Sequence, residues 1–92
     1  MTESFYRLLI SGKVQGVFFR DYTQRQAESL GLTGWVKNLA DGRVKTVIQG
    51  PKEKIKLMID WCWQGPPLSR VENIEVKEIK AKKLNSFVVK YN

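Results

Sequence analysis

Residues 11–21, SGKVQGVFFRD, decide how this chain folds, because they carry a strand into a helix through a glycine-containing loop. Before the loop, apolar side chains alternate with polar ones, which indicates a strand with one buried side; its apolar positions are Tyr6, Leu8, Ile10 and Val14. After the loop we predict a helix that has Asp21 as its N-cap and ends before Gly31. A strand-to-helix connection does not by itself require Gly16 in its middle or Arg20 at its end, so we look for a functional explanation of these two residues.

The rest of the chain predicts four more strands and a second helix. Residues 32–50 form two strands around an Asp-Gly turn at 41–42. The second helix has Pro51 at its first helical position, and its apolar stripe faces a core; the stripe is Ile55, Met58, Ile59 and Cys62. Residues 70–80 and 86–91 predict the fourth and fifth strands. The apolar side of the fifth strand is Phe87, Val89 and Tyr91.

The predicted element order is therefore βαββαβ followed by one more strand. Right-handed crossovers put both helices on one face of a mainly antiparallel sheet, which is a ferredoxin-like α/β sandwich of the α+β class. No repeat, linker or low-complexity segment interrupts residues 1–92, so we expect a single domain. We expect the basic stretch from Lys77 to Lys83 to be a solvated edge near a last hairpin. The tryptophans are expected to pack at the sheet–helix interface and its edges; they are Trp35, Trp61 and Trp63.

The composition favours an anionic partner and excludes several kinds of chemistry. The 92 residues carry a net charge of +7, with a pI near 9.8. No histidine is present, which excludes a Ser-His or Cys-His nucleophile pair and a histidine metal site. The single cysteine, Cys62, excludes an intrachain disulfide, and no apolar run is long enough to span a bilayer. We therefore expect a cytoplasmic chain without a membrane partner.

The loop over residues 15–20 has the features of a phosphate site. A glycine-bearing loop can turn successive N–H groups inward, the next helix adds the positive end of its dipole, and Arg20 adds a permanently charged planar fork. The loop residues expected to hold the phosphate are Gln15, Gly16, Val17, Phe18, Phe19 and Arg20. In the predicted topology Asn38, near the end of the second strand, arrives at the same end of the sheet. No Gly-Lys-Ser/Thr follows the loop, which excludes the nucleotide P-loop.

Two segments resemble the signatures of the acylphosphatase family. The first, ISGKVQGVFFR at 10–20, is similar to an aliphatic residue and then G-x-V-Q-G-V-x-F-R. The second, GWVKNLADGRVKTVIQG at 34–50, is similar to G-W-V-K-N, three residues, G-x-V, five residues and G. The segment after the second helix, QGPPLSRVENIEV, also resembles the family. The similarity extends from Tyr6 to Tyr91.

This resemblance implies that Arg20 binds a substrate phosphate and that Asn38 orients the attacking water. It also implies hydrolysis of the carboxyl–phosphate bond of small acyl phosphates, with no metal and no cofactor. The reaction suits a histidine-free protein, because the conjugate acid of the leaving carboxylate has a pKa of about 4 and needs no general acid. We therefore expect a monomeric hydrolase with a small-molecule substrate and no nucleic-acid partner.

Two other functions are compatible with the element order. An RNA-recognition module shares the βαββαβ order and a basic charge, and GVFFRDY at 16–22 is similar to its aromatic motif. That motif belongs on the third strand, however, which is RVKTVIQG at 43–50 and has no aromatic residue. The first strand also lacks the ring such modules carry there. The other alternative is an acyl- or carbamoyl-phosphate binding domain of a larger carbamoylation enzyme.

Overall fold

The computed structural model describes residues 3–80 and 82–91 of the chain. Its elements are β1 (Glu3–Lys13), α1 (Phe19–Ser29), β2 (Thr33–Asn38), β3 (Val44–Pro51), α2 (Lys52–Gln64), β4 (Arg70–Glu78) and β5 (Phe87–Lys90). This order confirms the predicted βαββαβ arrangement with a further strand. The second helix begins one residue later than predicted, because Pro51 is its N-cap and still pairs with Glu3 in the sheet.

The five strands form one sheet in the order β4-β1-β3-β2-β5. β1 is antiparallel to β3 and β4, β2 is antiparallel to β3, and β5 is parallel to β2. Because β3 opposes both β1 and β2, the C-terminal ends of β1, β2 and β5 lie together at what we call the upper end of the sheet. Both helices pack on one face, so the predicted ferredoxin-like sandwich is confirmed.

The main core lies between the two helices and one face of the sheet, which we call the helix face. In β1 the alternation predicted from sequence buries Leu8 and Ile10, which stand opposite Thr46 and Val44 of β3. The helices contribute buried side chains that include Phe19, Ala27, Ile55, Met58 and Cys62. Each large apolar side chain removed from water stabilises the fold by about 1.5–3 kcal/mol. The predicted core role of Cys62 is thus confirmed.

The other face of the sheet, which we call the open face, is crossed by the connection from β4 to β5. These strands lie at opposite edges of the sheet, so the prediction of a last hairpin is wrong. Ile79 and Leu84 of the connection surround a cavity of about 180 Å³ together with Phe5 and Val47. Both strand residues are buried although they face away from the helices. The connection therefore covers the lower part of the open face.

Helix α1 begins at Phe19, so the prediction of Asp21 as its N-cap is wrong. Phe18 is the N-cap, without a side-chain hydrogen bond. The Phe19 ring is 2% exposed and packs against Trp61 with 5.9 Å between ring centroids. Burial of this ring favours a helix that begins at Phe19. Asp21 lies in that first turn, where the helix dipole favours a negative charge. Gly31 follows the helix with φ 72°, as predicted.

Candidate active site

The loop between β1 and α1 is fastened to the turn between β2 and β3 by the side chain of Gln15. Its Nε2 donates hydrogen bonds to the carbonyl oxygens of Leu39 (2.8 Å) and Arg43 (2.9 Å), at the two ends of the turn. The Leu39 N–H closes the turn by donating to the Arg43 carbonyl at 2.8 Å. Because Asn38 is the last residue of β2, this link keeps it beside the loop that leads to Arg20.

Arg20 and Asn38 line one open cavity of about 310 Å³ at the upper end of the sheet. The lining residues are Val14, Gly16, Phe18, Phe19, Arg20, Asp21, Asn38 and Tyr91. The fold therefore brings together both side chains with a predicted catalytic role and four of the six loop residues expected to hold phosphate. Gln15 and Val17 are outside the lining, because Gln15 holds the turn and Val17 is buried in the core.

The loop backbone adopts a conformation that side-chain packing does not explain. Phe18 has φ 66° and ψ 24°, in the left-handed region, although its side chain is 65% exposed. This conformation costs a residue with a Cβ about 1–2 kcal/mol, which points to a role for the backbone itself. Gly16 has φ 75°, and a Cβ there would meet no atom within 4 Å. Conformation, not space, therefore requires glycine at this position.

The N–H groups of this loop are available to a ligand. Within residues 3–80 and 82–91, the backbone N–H groups of residues 15–20 donate no hydrogen bond to another backbone or side-chain group. The loop runs into the N-terminus of α1, where a helix always leaves its first N–H groups unpaired. Of residues 15–20, Gly16, Phe18, Phe19 and Arg20 line the cavity. Free donors along such a wall, at the positive end of a helix dipole, favour an anion.

The guanidinium of Arg20 lies over the ring of Tyr91, with 4.6 Å between Cζ and the ring centroid. Its Nη1 is 3.5 Å from the carbonyl oxygen of Lys90, a long and weak hydrogen bond. Tyr91 was not among the predicted site residues, and its predicted place on the apolar side of the last strand is wrong. It lies beyond the end of β5 and is 72% exposed. Only the parallel pairing of β5 with β2 brings it to the cavity.

Two aspartates stand at or near the cavity. Asp21 is the carboxylate among the lining residues. At the adjacent turn, Asp41 accepts hydrogen bonds from the backbone N–H of Arg43 (3.1 Å) and from its Nε (2.9 Å). The backbone hydrogen bond and then the guanidinium lower the pKa of Asp41. In the described part of the chain, no three His, Cys, Asp or Glu side chains form a group that could hold a metal ion.

Nearly the whole chain matches a known protein family. The family model described as Acylphosphatase covers residues 6–89. The chain belongs to the acylphosphatase family. An acylphosphatase of Rubrobacter xylanophilus is 53% identical over 72 residues, which are 78% of this chain and 66% of that protein. An acylphosphatase of Coxiella burnetii is 43% identical over 88 residues, which are 96% of this chain and 93% of that protein.

The fold agrees with this family. A solved structure of an acylphosphatase from Coxiella burnetii matches this chain with a TM-score of 0.93 at 43% identity. The match covers 96% of this chain and 93% of the Coxiella burnetii chain. The family prediction made from residues 10–20 and 34–50 is therefore confirmed, and with it the prediction of an enzyme. Acylphosphatases are hydrolases that act on acid anhydrides, so the chain is an enzyme of that class. It belongs to this family and not to the family of RNA-recognition modules.

Proposed function

We propose that this acylphosphatase hydrolyses small acyl phosphates to a carboxylate and orthophosphate without a metal ion. The observation that carries the proposal is the single cavity that joins the 15–20 loop, the Arg20 guanidinium and the Asn38 carboxamide. The loop belongs to the first of the two signatures, at 10–20, and Asn38 belongs to the second, at 34–50. Their meeting at the upper end of the sheet is what a phosphate site with a positioned water requires.

The loop and Arg20 bind the phosphoryl group. Unpaired N–H groups of residues 15–20 donate to its oxygens, and the dipole of α1 adds a partial positive charge. The guanidinium can form two parallel hydrogen bonds to phosphate oxygens, a geometry that lysine does not offer. Before substrate binds, Tyr91 keeps the Arg20 side chain at the rim of the cavity. Arg20 therefore loses less conformational freedom when the phosphate binds.

Asn38 positions the attacking water. Its carboxamide can accept a hydrogen bond from the water and donate one to a phosphoryl oxygen. Phosphoryl transfer passes through a loose transition state in which positioning and charge stabilisation supply most of the catalysis. The water in such a transition state has formed little of its new bond, so a strong base is not required.

The reaction balances with the groups present. The water oxygen forms a bond to phosphorus, and the bond between phosphorus and the acyl oxygen breaks. Its electron pair leaves with the carboxylate, which needs no proton because its conjugate acid has a pKa of about 4. The proton of the attacking water passes to a phosphate oxygen. An alkoxide leaving group would need a general acid, so simple phosphate esters are expected to be poor substrates.

Release of orthophosphate from benzoyl phosphate, with and without EDTA, tests the assignment. We expect Asn38→Ala to lower kcat by about a hundredfold or more with little change in the inhibition constant of orthophosphate. Arg20→Ala should instead raise that inhibition constant and lower kcat together, because the guanidinium contacts both substrate and transition state. The two roles are thereby separated in one set of measurements.

The matched control is Asn73→Ala, since Asn73 is exposed on the edge strand β4. It should behave as the wild type. Wild-type turnover by Asn38→Ala would contradict the role assigned to the carboxamide. Loss of activity in EDTA would contradict the metal-independent mechanism.

We infer that the protein works as a cytoplasmic monomer on small acyl phosphates. Its substrate class follows from the family, and one small cavity is all that such a substrate needs. No helix in residues 3–80 and 82–91 is long and apolar enough to cross a membrane. Sedimentation at several protein concentrations tests the monomer, and a mass of twice 10.6 kDa at all of them would contradict it.

A further inference from the structure

The ring of Trp35, on the open face of the sheet, is surrounded by three ammonium groups. The Nζ atoms of Lys90, Lys37 and Lys45 lie 4.4, 5.6 and 5.7 Å from its centroid. The prediction that Trp35 packs between sheet and helices is wrong. Its neighbour Val36 is buried against the helices, and successive residues of a strand point to opposite faces.

The three lysines are direct neighbours across the sheet. Lys37 stands opposite Lys45 of β3 in antiparallel register and opposite Lys90 of β5 in parallel register. Adjacent strands are about 4.8 Å apart, so three positive charges share a row of about 10 Å. Like charges placed directly opposite one another destabilise a sheet. An anionic partner bound on this row would neutralise it.

Carboxylates of the described residues do not neutralise this row. Within residues 3–80 and 82–91 the ion pairs are Arg7 with Glu75 and Arg43 with Asp41. Lys82 of the β4–β5 connection adds a further positive charge at two cavities, of about 180 and 310 Å³, that both include Trp35 in their walls. We call this region, formed by Trp35, Lys37, Lys45, Lys82 and Lys90, the basic platform.

We propose that the basic platform binds single-stranded nucleic acid without sequence preference. A base stacked on the indole takes the place of Lys90 over the ring, and the displaced ammonium joins Lys37 and Lys45 on the phosphates. A positively charged surface that holds an aromatic ring for stacking is the combination by which proteins bind single strands. An acidic peptide can pair its carboxylates with the lysines but has no base to stack on the indole. In a duplex the bases stack on one another and do not reach the ring.

No residue of this surface lines the phosphate cavity, although the backbone carbonyl of Lys90 accepts the weak hydrogen bond from Arg20. The cavity lining contains Arg20, Asn38 and Tyr91 but no member of the basic platform. The expectation of no nucleic-acid partner rested on the first and third strands, which lack suitable rings, whereas the ring that meets the lysines is on β2. Binding on the platform and acyl phosphate hydrolysis are therefore tested independently.

Fluorescence anisotropy with a labelled oligothymidylate of about 12 nucleotides measures the proposed binding, starting at about 50 mM salt. We expect Trp35→Leu to weaken binding about tenfold or more, while Trp35→Phe retains most of it because a ring remains. Lys37→Gln/Lys45→Gln should also weaken binding. It should reduce the slope of log K against log salt by about 1.4, since each phosphate contact contributes roughly 0.7.

Lys54→Gln/Lys56→Gln is the matched control, because it removes the same charge from exposed positions on α2. It should bind the oligonucleotide as the wild type does. The proposal is overturned if the wild type does not bind, or if this control loses as much affinity as the platform variant. It is also overturned if polyglutamate or a duplex of equal charge binds as tightly as the single strand. Thermal unfolding verifies each fold, and if Trp35→Leu does not fold, the two lysine double variants decide.

Discussion

Thr23 and Thr46 are both fully buried, yet their hydroxyl groups differ in hydrogen bonding. Thr46 Oγ1 donates to the carbonyl oxygen of Trp35 at 2.7 Å. Thr23 Oγ1, on α1, has no partner within the described residues. A buried polar group left unsatisfied costs about 1–3 kcal/mol. The two threonines therefore form an internal comparison of paired and unpaired hydroxyl groups in one core.

We expect Thr23→Val to raise the free energy of unfolding by about 1 kcal/mol, because valine fills the same volume without a polar group. Thr46→Val should lower it by a similar amount, since the Trp35 carbonyl then loses its donor. Urea unfolding of both variants beside the wild type measures the two changes. Destabilisation by Thr23→Val would show that its hydroxyl does find a partner in solution.

Cys62 offers a second prediction at the residue scale. Burial raises the pKa of its thiol from 9.0 to about 12. Above pH 9 the unfolded chain loses the thiol proton and the folded chain does not, so stability falls as pH rises from about 9 toward 12. The Cys62 thiol contributes no pH dependence of stability below pH 9. Urea unfolding at about pH 8 and about pH 10 should show a steeper loss for the wild type than for Cys62→Ala. Equal pH slopes would contradict the prediction.

At the scale of elements, the four-residue strand β5 determines the outer wall of the candidate active site. Gln24 of α1 donates from Nε2 to the Phe87 carbonyl at 3.1 Å, which fastens helix and strand together. The parallel register with β2 then places Tyr91 over Arg20. A strand whose sequence gives no sign of catalysis thus positions the residue proposed to bind the phosphate.

Removal of the Tyr91 ring should therefore act through Arg20. A partly exposed cation–π contact contributes about 0.5–1 kcal/mol, so we expect Tyr91→Ala to raise KM for benzoyl phosphate about two- to fivefold. Tyr91→Phe keeps the ring and should behave as the wild type. An unchanged KM in Tyr91→Ala, or an equal rise in Tyr91→Phe, would exclude ring-on-guanidinium positioning.

At the scale of the whole molecule, the net charge of +7 attracts anionic substrates from solution. Charges more than about 10 Å apart are largely screened at 0.1 M salt. We expect kcat/KM for benzoyl phosphate to fall as salt rises from about 20 to about 200 mM, while kcat stays constant because the bound phosphoryl group is shielded. A kcat/KM that does not respond to salt would contradict this account.

Local patterns in the sequence were sufficient to predict the element order, and the two signatures indicated Arg20 and Asn38, which the fold brings to one cavity. The alternation in β1, the stripe of α2 and the Asp-Gly turn are short-range features, and each formed as predicted. The meeting of Arg20 and Asn38 also followed from sequence, because right-handed crossovers leave one way to arrange the first two strands. The start of α1 was misplaced because the buried ring of Phe19 outweighs the capping preference of Asp21.

The sequence by itself determined the strands, the helices, the family and the glycine-containing loop between β1 and α1, since these depend on neighbours within a few residues or on long signatures. Only the tertiary structure decided that β5 lies beside β2, that Tyr91 covers Arg20, and that the β4–β5 connection crosses the open face. It alone gathered Lys37, Lys45 and Lys90 around Trp35. The physical reason is that strand pairing is chosen by contacts between residues far apart in the chain, to which a local pattern contributes nothing.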